Sequence, residues 1–299
     1  MPPPLITVII PTHERPDFLE VALASVRNQT YSHWEVIVVI DGTPPERYVK
    51  LKRLYQELRV TWVTQPKSGP GVARQAGLAA ANGDYVCFLD DDDYYLPQHF
   101  ELLIAATKET DKAIVRSGLL GKQPDGRLTK FSLFDNQRPT LEQYWKVPSN
   151  LTALLFTLEA ARKVPIDTVR TTIEDFTWLL RVFSHHDLHQ ISQYTAVYVL
   201  HEGNRNNLSL ADDYLADRIN AMEGAFSYGE VARRTPKSAK KRWIHHQHLH
   251  YARNAFRAGA WQKGLGGVGR SFPYLSLAGL HDLTYTMYYL LTALLGQRH

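Results

Sequence analysis

The chain has 299 residues, of which 44% are hydrophobic and 21% charged, with 34 Lys+Arg against 30 Asp+Glu and a formal net charge of +4. These proportions exclude a disordered, collagen-like or disulfide-framework chain. The single cysteine, Cys87, excludes an intrachain disulfide and a Cys-rich zinc site, and fits a reducing compartment.

The N-terminal residues Met1 to Thr7 hold no basic region and no apolar run of signal length. No stretch of about 18 uncharged apolar residues follows, so no transmembrane helix is expected. Leu5 to Ile10 is a β-branched run closed by Pro11 and predicts a buried strand. Asp17 to Asn28 carries Phe18, Val21, Ala22, Ser25 and Val26 at helical spacing. Glu35 to Ile40 predicts a second buried strand, ending at Asp41-Gly42. Pro45 to Leu58 predicts a helix, Val60 to Val63 a third strand, and Val72 to Ala81 a helix entered from the loop Gly69-Pro70-Gly71. Asp84 to Leu89 predicts a fourth strand that runs directly into Asp90-Asp91-Asp92-Asp93.

This alternation is that of a parallel sheet with helices on both faces. Ligands of such sheets sit beyond the carboxyl ends of the strands. Thr12-His13-Glu14, Asp41 and the aspartate run all fall there. Four consecutive aspartates repel one another unless a cation is present. Mg²⁺ and Mn²⁺ prefer carboxylate oxygens and often hold phosphates at their remaining positions. The run therefore predicts a divalent-metal site for a diphosphate, with a solvated acidic turn as the plainer alternative.

Beyond the run the pattern is less regular. Ala113 to Ser117 predicts a strand, Pro124-Asp125-Gly126 a turn, and Leu151 to Phe156 a buried strand or the start of a helix. Thr172 to Phe183 predicts a helix opened by Glu174-Asp175, acids where the helix dipole favours them. Thr195 to Leu200 predicts another strand, and the chain from Asp212 onward is helical in pattern.

Five segments in this order resemble the family 2 glycosyltransferases. They are Val8 to Pro16, Leu23 to Tyr31, Glu35 to Gly42, Gly71 to Gly77, and Gly83 to Asp93. His13-Glu14 stands where that family usually has Tyr-Asn, and Ile40 replaces the first of two common aspartates. The resemblance implies a GT-A fold: an α/β architecture with a Rossmann-like nucleotide-binding half and an acceptor half on one continuous mixed sheet. On this chain it implies a catalytic domain over 1–210, divided near 95, followed by a helical basic C-terminal region over 211–299. It also implies inverting transfer of a sugar from a nucleotide-diphosphate donor, usually UDP-linked, to a saccharide or lipid-linked acceptor, assisted by Mn²⁺ or Mg²⁺.

Residue by residue, the resemblance assigns Pro11, Thr12, His13 and Glu14 to the nucleoside and Asp41 to the base. It assigns Arg74 to the nucleotide, and Asp90, Asp91 and Asp92 to the DXD motif. Asp91 would face ribose or metal, and Asp92 would bind the metal. Inverting transfer needs a carboxylate to take the acceptor's hydroxyl proton. Ile173 to Arg181 resembles the family's acidic segment, which makes Asp175 the base and Glu174 a residue that orients the acceptor. His201 would reach the metal or phosphate, and Arg205 the leaving group. The other readings are a nucleotidyltransferase, whose Gly-rich basic loop is missing from Pro11 to Asp17, and a nucleotide-sugar-binding scaffold with a degenerate site.

The tail differs in charge. Residues 210–299 hold 12 Lys+Arg and 6 Asp+Glu, net +6, whereas residues 1–209 are net −2. Six of these bases crowd into Arg233 to Arg242. With the apolar segment that follows, 233–296 suggests peripheral contact with the inner face of a membrane, with a solvated helical tail as the plainer reading. No nucleic-acid partner is expected, and the location is cytoplasmic. Gly264 to Gly269 matches G-x-G-x-x-G literally but follows a helical stretch, so it is not read as a dinucleotide site. His246 and His250, four apart, are read as a solvated helix face rather than a metal pair.

Overall fold

The computed structural model describes residues 2–147, 149–166, 173–201, 212–276 and 279–294. The chain forms two compact units, Met1–Glu202 and Gly203–His299.

The first unit opens with β1 (Ile6–Thr12), all of it buried, then α1 (Pro16–Arg27) and β2 (Trp34–Asp41). The helix expected over 45–58 is shorter than its apolar spacing suggests. A 3₁₀ turn over Pro45–Tyr48 leads into α2 (Val49–Leu54), because Pro44-Pro45 forces a tight entry. Then come β3 (Val60–Gln65), α3 (Pro70–Ala80) and β4 (Tyr85–Phe88). Past the aspartates lie β5 (Tyr94–Tyr95), α4 (His99–Thr107), β6 (Ile114–Lys122), β7 (Leu128–Lys130) and α5 (Thr140–Tyr144). A 3₁₀ turn at Leu151–Ala153 precedes β8 (Leu154–Thr157), α6 (Leu158–Lys163), α7 (Glu174–Phe183) and β9 (Leu188–Val199).

The nine strands of the described residues join one sheet in the order β3-β2-β1-β4-β8-β6-β9-β5, with β7 paired to β6. β3, β2, β1 and β4 are parallel, as the strand–helix alternation predicts. β8 then runs antiparallel to both β4 and β6, which makes the sheet mixed. The two faces of β2 show how it is covered. Val36, Val38 and Ile40 pack with Leu19, Leu23 and Val26 of α1, whereas Ile37 and Val39 pack with Ala73 of α3.

α7 is anchored by Trp178. Its buried ring lies 5.4 Å from Phe88 and 5.3 Å from Phe156, and its Nε1 donates to the Val164 carbonyl at 2.7 Å. Phe88 ends β4 just before the aspartates, so this one aromatic cluster brings the start of α7 to the acidic end of β4.

The second unit holds α8 (Asp212–Ser227), α9 (Gly229–Arg234), α10 (Lys237–Arg257), α11 (Trp261–Ser271) and α12 (Leu280–Leu294). The G-x-G-x-x-G run lies inside α11. A Cβ on Gly264 would stand 2.2 Å from the Phe256 ring, and one on Gly267 would stand 3.1 Å from Ala252. The glycines therefore let α11 lie close against α10. His246 pairs with Asp282 at 2.5 Å, and His250 contacts Asn254 at 3.1 Å. Within the basic run, Arg233 pairs with Glu230 and Lys240 with Glu223, while Arg234, Lys241 and Arg242 are exposed. Among the described residues no helix is long and apolar enough to cross a membrane.

Candidate active site

The site begins where β1 and β2 end side by side. Thr12, the last residue of β1, is buried and donates its hydroxyl to Asp91 Oδ2 at 2.8 Å. His13 follows, half-buried, with Nδ1 2.6 Å from the Asp41 carbonyl. A carbonyl only accepts, so Nδ1 carries the proton. Glu14 is exposed, takes a left-handed φ of 57°, and donates its backbone N–H to Thr43 Oγ1 at 2.8 Å. Pro11 is buried within β1.

Asp41 is 5% exposed. Its Oδ1 accepts from Gln65 Nε2 at 2.9 Å and from the Ser68 backbone N–H at 2.7 Å. Its Oδ2 accepts from the Gly69 backbone N–H at 2.8 Å. The carboxylate thus ties the end of β2 to the loop that opens α3. Glycine is required on both sides of this tie. Gly42 has φ of 73°, and a Cβ there would meet Lys67 at 2.3 Å; Gly69 has φ of 94°.

The four aspartates separate by environment. Asp90 accepts from Arg74 Nη2 at 2.5 Å. Asp91, 7% exposed, has its carboxyl pushed up to about 7 by burial, which the Thr12 hydrogen bond only partly offsets. Asp92 Oδ2 lies 2.7 Å from Arg15 Nη1 and 3.0 Å from His201 Nε2. Asp93 is fully buried. It accepts from the Thr152 hydroxyl at 2.8 Å and the Val199 N–H at 3.0 Å, and burial followed by the charges of Asp90 and Asp92 drives its carboxyl well upward. Asp90, Asp92 and Asp93 each offer a carboxylate oxygen within 4.8 Å of the others. An all-oxygen, all-anionic set fits Mg²⁺ or Mn²⁺, which would also relieve the buried repulsion.

Arg74 joins this cluster to α7. It is 2% exposed; besides Asp90 it donates Nη1 to Glu174 Oε1 at 3.0 Å. Its Nε is buried with no hydrogen-bond partner among the described residues. Burial alone would lower this guanidinium, but Asp90, Glu174 and Asp175 outweigh it and hold it firmly protonated. Glu174 is buried on the same helix face as Trp178. Asp175, half-buried beside it, accepts the Phe176 N–H through Oδ1 at 2.7 Å, and its Oδ2 makes no hydrogen bond among the described residues. Burial, and next the charge of Glu174, raises the Asp175 carboxyl above the ordinary range.

The sequence-predicted residues thus fall at the end of β1, the end of β2, the end of β4, the inner side of α3 and the start of α7. His201 joins them through Asp92. Arg205 lies outside the described residues. Four residues escape the sequence reading. Arg15 holds Asp92, and Phe18 stacks on the His201 ring at 5.1 Å. Asp93 completes the acidic set, and Thr152 fixes Asp93. Only Asp93 carried a signal, as the last member of the run.

A mixed nine-stranded sheet with a carboxylate cluster at the end of its fourth strand defines a GT-A-like α/β protein. The family model for glycosyl transferase family 2 matches residues 7–163, and the chain belongs to that family. It is similar to EpsJ, an uncharacterized glycosyltransferase of Bacillus subtilis (strain 168), with 32% identity over 126 residues, covering 42% of this chain and 36% of EpsJ. Among solved structures it is similar to S. aureus TarS 1-349 in complex with UDP-GlcNAc, with TM-score 0.69 and 17% identity over 96% of this chain and 88% of that one. It is also similar to the mannosyltransferase PcManGT from Pyrobaculum calidifontis in complex with GDP-Man and Mn²⁺. There the TM-score is 0.60 and the identity 14%, over 99% of this chain and 88% of that one.

Proposed function

We propose that this protein is an inverting, hexosyltransferase-type glycosyltransferase that moves a sugar from a UDP-linked donor to a saccharide or lipid-linked acceptor. The observation that carries the reading is Asp175. It is a carboxylate of raised proton affinity, with one oxygen that makes no hydrogen bond among the described residues, linked to the aspartate cluster through Glu174, Arg74 and Asp90.

In this reading the nucleoside lies against Pro11, Thr12, His13 and Glu14, with Asp41 shaping the loop beneath it. Asp175 takes the acceptor hydroxyl proton as that oxygen attacks the anomeric carbon opposite the diphosphate, which inverts the centre. Burial raises the carboxyl above the ordinary carboxylate range and so makes it a stronger base. Asp92, with Asp90 and Asp93, would hold Mn²⁺ or Mg²⁺, whose charge stabilises a departing diphosphate. Arg15 and His201 hold Asp92 in place, and Arg74 and Glu174 position Asp175 rather than touch substrate. UDP-GlcNAc on TarS, and GDP-Man with Mn²⁺ on PcManGT, support a nucleotide-sugar donor and a divalent ion. The protein would act in the cytoplasm, at the inner membrane face where a lipid-linked acceptor is presented.

Calorimetric titration of UDP, GDP, dTDP and CDP, with and without Mn²⁺, tests the donor site. Mn²⁺-dependent binding of UDP, lost in Asp92→Ala, is the expected result. Binding of none of the four would overturn the donor-site reading.

A further inference from the structure

Among the described residues two guanidiniums meet the aspartate run, and their settings differ. Arg74 is sealed: its side chain is 3% exposed and is shared between Asp90 and Glu174. Arg15 lies at the surface, with its side chain 33% exposed. It stands between β1 and α1, next to Glu14, whose left-handed φ and N–H bond to Thr43 fix the turn. Its Nη1 lies 2.7 Å from Asp92 Oδ2 and 3.5 Å from Asp91 Oδ1. One turn along α1, Phe18 backs the contact. Its ring centre lies 5.9 Å from the Arg15 guanidinium carbon and 5.1 Å from the centre of the stacked His201 ring.

Asp92 Oδ2 thus meets both Arg15 and His201. Asp92 is also one of the three carboxylates whose oxygens lie within 4.8 Å of one another. These two uses of one carboxylate conflict, because a guanidinium and a divalent cation drawn to it repel each other. Arg74 cannot yield, since leaving would strand two acids and a buried charge. Arg15 can, because an ion pair with one partner open to water is weakly held. A phosphate is the partner that suits it. The planar fork matches two phosphate oxygens, and a diphosphate brings negative charge for guanidinium and ion alike.

We propose that Arg15 couples ion binding to nucleotide binding at this site. In the chain alone it competes with Mn²⁺ or Mg²⁺ for Asp92. When a nucleoside diphosphate arrives, it exchanges Asp92 for a phosphate oxygen and leaves the carboxylate to the ion. The hold of Arg15 on Asp92 is then one half of an exchange. This rests on the reading of Asp92 as a ligand of a divalent ion that serves a nucleoside diphosphate. Such coupling is reciprocal, so ion and diphosphate tighten each other by the same factor.

The test follows Mn²⁺ binding to the full chain by the electron paramagnetic resonance signal of free Mn²⁺. It is run without nucleotide, with uridine and with UDP. The affinity of UDP itself for Mn²⁺ is the same beside every variant and cancels in the comparison. In Arg15→Met, Mn²⁺ alone should bind about tenfold tighter than in the wild type, and the further tightening by UDP should shrink by about tenfold. Arg15→Lys keeps the competing charge, so its affinity for Mn²⁺ alone should stay within about threefold of the wild type. Unchanged or weaker binding of Mn²⁺ alone in Arg15→Met would overturn the proposal and leave Arg15 as a residue that only orients Asp92. Undiminished tightening by UDP in that variant, or tightening by uridine as large as by UDP, would overturn it as well. Should Arg15→Met fail to fold, the wild-type Nε–H signal of Arg15, recorded with Mg²⁺, decides. It should move with UDP and not with uridine, and a signal that UDP leaves in place overturns the proposal. Failure of the wild type to bind UDP at all is a separate failure, that of the donor-site reading. The titration without nucleotide then still decides whether Arg15 competes for Asp92.

Discussion

Asp41 and Glu174, two buried carboxylates of the same unit, are held by opposite means. Asp41 is held by the Gln65 amide and two backbone N–H groups, all within 28 residues of it in the chain. Glu174 is held by a buried guanidinium 100 residues away. Backbone amides are fixed dipoles, so Asp41 sits in a pocket shaped in advance and insensitive to its neighbours' charge. An ion pair passes charge onward, so the arrangement at Glu174 reaches Asp175 and Asp90 as well. The end of β2 is built for shape and the start of α7 for tuning.

The largest expected effect breaks the tuned region at its working end. Asp175→Asn should lower turnover by about 10²- to 10⁴-fold. Its affinity for UDP with Mn²⁺ should stay within about twofold. Calorimetry on the variant beside a product-release assay reads both. Undiminished turnover would move the base elsewhere.

Arg74→Met leaves Asp90 and Glu174 facing each other without their shared cation. Removing one member of a buried pair costs about 3–5 kcal/mol, measurable as a fall in the denaturation midpoint. Glu174→Gln is milder and more informative. The Asp175 carboxyl is raised first by burial and next by Glu174. Removing that charge lowers it, so the acid limb of the turnover profile should move to lower pH. An unmoved limb would mean that Glu174 does not act on the base.

His99 sharpens the comparison from a neutral group held at long range. Its Nδ1 lies 2.8 Å from Thr195 Oγ1, its ring stacks on Tyr95 at 4.1 Å, and burial pulls it down to about 3. The unfolded chain therefore binds a proton that the folded chain refuses. His99 adds nothing to the pH dependence above about 6.5, and stability is lost as pH falls from there toward 3. Between pH 7 and 4 the wild type should lose about 3 kcal/mol more than His99→Phe. Equal losses in urea titrations at the two pH values would show that His99 is not held neutral.

The same contrast explains what could be read in advance. β1, β2 and β4 announce themselves because both faces of their sheet are covered, so their residues are apolar runs. The aspartates and Glu174-Asp175 stand out as charge directly beside those runs. β9 was visible only from residue 195, because its first half holds His189, Gln190, Ser192 and Gln193. Gln190 is polar because it serves Arg116 across the sheet. Nothing local marks such a pair, and the same holds for Arg15 on Asp92 or Thr152 on Asp93. The separate fates of four adjacent aspartates depend on which distant donor each one meets.

The smallest effect belongs to the amide-held carboxylate, and it tests whether the distinction between the two regions holds. Asp41→Asn keeps one side-chain oxygen, which can still accept from two of the three donors now served. The amide nitrogen takes the place of the other oxygen and turns a donor toward a donor. The displaced partners lie on a half-buried loop, with Pro66 and Lys67 exposed, so water can meet the freed N–H. The loss should be about 1–2 kcal/mol, well below that of Arg74→Met, with no shift in the acid limb of turnover. A loss as large as that of Arg74→Met would show that the loop does not yield to water. A shifted limb would show that Asp41 is electrically coupled to Asp175, and the two regions would then be one electrostatic site.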